Sequence, residues 1–126
     1  MIEQLQTDSP KIIGFRFSGK MHDEDYKTFV PTMEDAMEAE GKLSLFAHME
    51  DFHGWDLNAA WDDIKFGAKH YSDFERIAMV GDRNWEEWMA KLSTPFTKAT
   101  VKYFDKSEID NAWSWLREDT KQPNAQ

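Results

Sequence analysis

Two periods of hydrophobic spacing alternate along the chain. From Lys11 to Ser18 (KIIGFRFS) the period is two, with Ile13, Phe15 and Phe17 on one face and Ile12, Gly14 and Arg16 on the other. Ile2 to Leu5 is a shorter strand candidate, and Thr7-Asp8-Ser9-Pro10 is a turn cluster between the two runs. Their close spacing predicts an antiparallel hairpin whose second strand ends at Gly19. His22 to Glu40 then changes to a helical period, with Tyr26, Phe29, Val30, Met33 and Met37 in one stripe. Pro31 interrupts the stripe and predicts a kink or a break into two helices, and Gly41 is the C-cap candidate.

Leu43 to Met49 reads as a buried strand, followed by a loop from Glu50 to Asp56. Asp56 is an N-cap candidate for a helix to Tyr71. On that helix Leu57, Ala60, Trp61, Ile64 and Ala68 share a face, expected to pack on the sheet beside Phe15, Phe46 and Trp85. Asp62, Asp63 and Phe66 fall on the opposite face. Phe74 to Val80 is a further buried strand, and Asn84 can cap a short helix carrying Trp85, Trp88, Met89 and Leu92 before Pro95. Ala99 to Phe104 alternates as a strand, and Ser107-Glu108-Ile109-Asp110 opens a last helix with Ile109, Ala112, Trp113 and Leu116 inward.

The order β-β-α-β-α-β-α-β-α implies an α/β fold: a five-stranded mixed sheet, first strand antiparallel and the rest parallel, with four helices. Residues 1–117 form a single domain on this reading, and 118–126 a polar tail.

Composition narrows the function. The absence of cysteine excludes thiol catalysis, Cys-ligated zinc and iron–sulfur clusters. A formal charge of -9 argues against a phosphate-tracking nucleic-acid binder. Phe, Trp and Tyr together outnumber Val, Ile and Leu, and seven methionines add adaptable filler, so the core suits either plain packing or a non-polar guest. The N-terminus lacks a basic and apolar leader, and no apolar run approaches the roughly 20 residues of a membrane span. A cytoplasmic protein, at most peripheral at a membrane, is the expectation.

An ordered set of residues carries a resemblance to a known family. Gly54-Trp55, then Trp61-Asp62-Asp63-Ile64-Lys65-Phe66, then Phe74-Glu75-Arg76-Ile77-Ala78-Met79-Val80-Gly81-Asp82 are followed by Trp85, Pro95-Phe96, Tyr103-Phe104 and Ala112-Trp113-Ser114-Trp115-Leu116. This pattern, from Ile12 to Leu116, resembles the SpoIIAA-like branch of the STAS superfamily, grouped by fold with Sec14/CRAL-TRIO lipid-binding domains. The resemblance implies that fold and two precedents, partner regulation and non-polar ligand binding. Anti-sigma-factor antagonists of the family carry a phosphorylatable serine at the start of the helix after the central strand. Asp51 to Asn58 contains neither Ser nor Thr, so that switch has no acceptor here.

No catalytic motif appears. His48, Glu50, Asp51 and His53 form the densest polar cluster, but without metal-ligand spacing, and a solvated loop is the better reading. Gly81-Asp82-Arg83-Asn84 lacks the phosphate-loop patterns. No metal, cofactor or catalytic residue is expected. The expected function is non-enzymatic binding of a non-polar small molecule or lipid beneath the Asp56–Tyr71 helix, with transient membrane contact. The candidate ligand or partner residues are Phe52, Trp55, Trp61, Ile64, Lys65, Phe66 and Lys69, with Phe52, Trp55 and Phe66 expected as an exposed patch. Gly54 and Gly67 are the candidate hinges. The alternative is a regulatory protein–protein module, homodimeric or with another partner.

Overall fold

The computed structural model describes residues 1–7, 9–70, 72–81 and 100–120. β1 (Ile2–Leu5) and β2 (Ile12–Met21) lead into α1 (Asp23–Glu40), β3 (Leu43–Trp55) and α2 (Leu57–Lys69). β4 (Phe74–Gly81), β5 (Thr100–Asp105), a 3-10 turn (Lys106–Glu108) and α3 (Ile109–Thr120) follow. The strands form one sheet in the order β1-β2-β3-β4-β5. β1 runs antiparallel to β2, and every other neighbouring pair is parallel.

The sheet agrees with expectation, but the helix count does not. Three α-helices occur among the described residues rather than four. The helix expected after Asn84 lies in 82–99, outside the described residues. α3 runs from Ile109 through Glu118 to Thr120.

The two sheet faces have different covers. Ile13, Phe15, Phe17, Ala47, Met49 and Met79 form a core with Tyr26, Phe29 and Met33 of α1. On the other face Ile12, Phe46, Ala78, Val80 and Phe104 pack with Ala112 and Leu116 of α3. There the Trp113 ring stacks on Phe46 with centroids 4.0 Å apart, over Gly14 of β2.

Pro31 neither breaks nor ends α1, which is continuous from Asp23 to Glu40. Pro31 is exposed, so its ring points away from the stripe that holds the helix to the sheet. Burial of Tyr26, Phe29 and Met33 therefore outweighs the missing helical N–H, a defect of about 3 kcal/mol. Gly41 ends the helix with φ 81°, its N–H bonding Met37 O at 2.8 Å.

β3 is longer than its hydrophobic run. The segment Glu50–Trp55, expected as a loop, continues as strand beside β2, with Gly19 opposite Phe52 and Met21 opposite Trp55. The pairing is irregular there. Asp51 has φ 51°, Gly54 has φ 94°, and Gly19 on the neighbouring strand has φ 67°. Such left-handed residues bend a strand and shift its register, which polar composition alone does not reveal.

Candidate functional site

A single residue, Asp56, joins β3 to α2. Its N–H bonds Met21 O at 2.9 Å, and one carboxylate oxygen accepts the Ala59 N–H at 2.8 Å as the N-cap. The other oxygen lies 2.8 Å from Nδ1 of His22, the N-cap of α1. The Ala59 N–H, and then His22, hold the Asp56 carboxyl below the usual carboxylate range.

α2 packs chiefly on α1. Ala59 is fully buried, and the Phe66 ring sits 5.6 Å from Phe29, 6.4 Å from Phe74 and 4.7 Å from His70. Tyr26 Oη donates to Asp63 at 3.1 Å. The inward face is therefore the one bearing Ala59, Phe66 and His70.

This reverses the expected orientation. Leu57 is 88% exposed and Trp61 58% exposed, and Ala68 is also exposed. These residues do not pack on the sheet beside Phe15 and Phe46. Phe66 is part of no exposed patch; it packs against the main core. The backbone of Phe52 and Trp55 lies in β3 rather than in a loop, while that of Ile64 lies within α2. Of the two candidate hinges, Gly54 has a left-handed φ and Gly67 lies inside α2.

At the far end of α2, His70 is buried between two carboxylates. Its Nδ1 is 2.6 Å from Asp73 Oδ2, and its Nε2 is 2.9 Å from Glu34 Oε2 of α1. Lys69 Nζ reaches the same Glu34 oxygen at 2.8 Å. Hydrogen bonds from Lys69 and then His70 hold the Glu34 carboxyl below its ordinary value.

Between α1 and α2 runs a groove of about 340 Å³. Its apolar lining comes from Tyr26, Val30 and Phe66, and its rims carry Lys27, Lys65 and Lys69 beside Asp23, Asp62 and Glu34. Each lysine has a carboxylate within 4 Å: Lys27 with Asp23, Lys65 with Asp62, and Lys69 with Glu34. Three of the expected site residues, Lys65, Phe66 and Lys69, thus meet at a charge-balanced groove. Trp61 stands apart on the outer face.

The His48 cluster disperses. Glu50 pairs with Arg16 at 3.1 Å, and burial pushes the His48 imidazole pKa down, opposed by the Glu50 charge. His53 is exposed. Among the described residues no three His, Asp or Glu side chains converge as a metal site.

The SpoIIAA-like family model matches residues 12–117. The chain belongs to the SpoIIAA-like family. Among solved structures, it is similar to an uncharacterized protein of the DUF3478 family with a SpoIIAA-like fold from Shewanella loihica PV-4. Identity is 29%, 92% of each chain is covered, and the TM-score is 0.77. A search of curated proteins finds no match. Among the described residues no helix is long and apolar enough to cross a membrane.

Sequence reading missed the partners of both cap histidines. His22 carries no local sign of its pairing with Asp56, 34 residues away, and His70 none of Glu34, 36 residues away. Their positions at opposite ends of two adjacent helices were the available signal.

Proposed function

We propose that this SpoIIAA-like domain binds a non-polar surface or amphiphile through the outer face of α2. The observation that carries this reading is the exposure of Leu57 and Trp61 on a helix already docked by its opposite face. Large apolar side chains in one helical stripe favour transfer to an interface, and tryptophan suits the boundary between acyl chains and headgroups. Lys65 is exposed on the flank of that stripe and supplies a headgroup contact. Transfer of each large side chain contributes about 1.5–3 kcal/mol, which supports weak, reversible association. The net charge of -9 opposes adsorption to strongly anionic bilayers, so a zwitterionic surface is the better target.

A second reading rests on spacing. Positions 57, 61, 64 and 68 follow the four-three-four pattern of a helix–helix seam, which suits another protein's helix or a second copy of this chain. Vesicle flotation with phosphatidylcholine, alongside light scattering of the free protein, separates the two. Flotation lost in a Leu57→Asp/Trp61→Asp double variant supports the lipid reading. A dimer abolished by the same variant, without flotation of either protein, replaces it with the protein–protein reading. Monomeric protein that never floats refutes the lipid reading and the homodimer.

A further inference from the structure

Beside its exposed stripe, α2 carries what a second α2 needs to cover it. Positions 57, 61, 64 and 68 form the seam, where Leu57, Trp61 and Ala68 are exposed. On one flank lie Asn58 and Lys65, both exposed, with the half-buried Asp62 next to them. The other flank holds the small residues Ala60 and Gly67. Lys69 is drawn to Glu34 of α1 at 2.8 Å. Lys65 Nζ lies 3.8 Å from Asp62 Oδ1, at the edge of ion-pair range, and its side chain is 60% exposed. Lys65 is therefore the cation beside the seam that can reach across it.

Two identical helices pair about a twofold axis in two ways. With the axis perpendicular to the helices the pair is antiparallel, and like flanks meet. Leu57 of each copy then lies opposite Ala68 of the other, and Trp61 opposite position 64. In this register Lys65 of each copy falls between Asn58 and Asp62 of the other. The two Lys65–Asp62 pairs then alternate in sign around the axis. With the axis along the helices the pair is parallel, and Lys65 meets the flank of Ala60 and Gly67, which offers it no carboxylate. Aligned helix dipoles oppose the parallel pair as well. The charge order along α2 selects the antiparallel one.

We propose that α2 pairs antiparallel with α2 of a second copy of this chain, so that a homodimer and an amphiphile compete for the face of Leu57 and Trp61. The competition rests on the amphiphile reading, whereas the pairing does not. A helix of 13 residues offers a seam about 20 Å long. Such a contact covers less than the roughly 1,200 Å² of a stable assembly. The net charge of -9 on each copy also opposes association. The dimer is therefore weak and exchanges readily, as a cover that gives way to lipid must.

The chain has no cysteine, so introduced thiols report the pairing without background. Leu57→Cys and Ala68→Cys, both at exposed positions, are oxidised separately and as a mixture. The mixed disulfide should form about tenfold faster than either symmetric one, a ratio that corresponds to one strongly preferred register. Lys65→Glu in both chains should slow it about fivefold, and adding Asn58→Lys should restore most of the loss. Phosphatidylcholine vesicles should suppress the mixed disulfide. Faster symmetric cross-links, or equal rates in all three samples, overturn the antiparallel pairing, as does a rate that ignores both charge variants. Protein that floats with vesicles while cross-linking at an undiminished rate overturns the competition and leaves the amphiphile reading intact. Cross-linking as expected in a protein that never floats supports the pairing and removes the amphiphile reading.

Discussion

Phe66 and Trp61, five positions apart on one helix, occupy opposite environments. The Phe66 ring lies against Phe29, Phe74 and His70, whereas Trp61 is 58% exposed. Their energetic roles should differ accordingly. Phe66→Ala should lower stability by about 2–4 kcal/mol, somewhat less than a fully buried phenylalanine because its site is partly open. Trp61→Ser should stay within about 0.5 kcal/mol. Urea denaturation of both variants checks the orientation of α2, and equal costs would contradict it.

Asp63 gives a pH-dependent test at the same interface. Desolvation raises its carboxyl pKa to about 6, partly opposed by the hydrogen bond from Tyr26, although the residue retains solvent exposure. A raised folded-state pKa favours folding while the acid is protonated, and this contribution disappears as pH rises through about 6. Asp63→Asn should therefore gain stability relative to the parent from mildly acidic to neutral pH. Melting curves across that range measure the difference, and an unchanged gap at every pH would remove the assignment.

The other sheet face has its own sensitive position at Gly14. A Cβ added there meets Leu5 Cβ and Thr7 Cγ2 at 3.4 Å and Trp113 Cη2 at 3.5 Å. Alanine meets atoms at the tight edge of contact, but the branches of valine require Trp113 to leave its stack on Phe46. Gly14→Val should cost about 1–3 kcal/mol through overpacking. Denaturation measures that cost, and Trp113 fluorescence in a background lacking the other tryptophans reports the displaced ring.

The strand directions and the α1 stripe were legible because local pattern and tertiary packing agree. Ile13, Phe15 and Phe17 alternate in the chain and lie in one core, as do Tyr26, Phe29 and Met33 at helical spacing. The α2 face was not legible. Leu57, Trp61 and Ala68 make the more apolar stripe, so periodicity alone directs them inward, but α1 supplies partners to the other side. Tyr26 receives Asp63, Phe29 receives Phe66, and Glu34 receives His70. Such cross-helix matches connect residues more than 30 positions apart and leave no periodic trace in either helix.

The brief junction at Asp56 gives the irregular end of β3 control over which side of α2 meets water. Successive helical residues advance by about 100°, so a one-residue insertion or deletion upstream would turn the helix through more than a quarter circle if its axis stayed in place. Lineages could exchange a sealed surface for a sticky one by altering strand length while leaving the composition of α2 untouched. The rotational setting of the helix thus depends on the length of the segment before it as well as on its own residues.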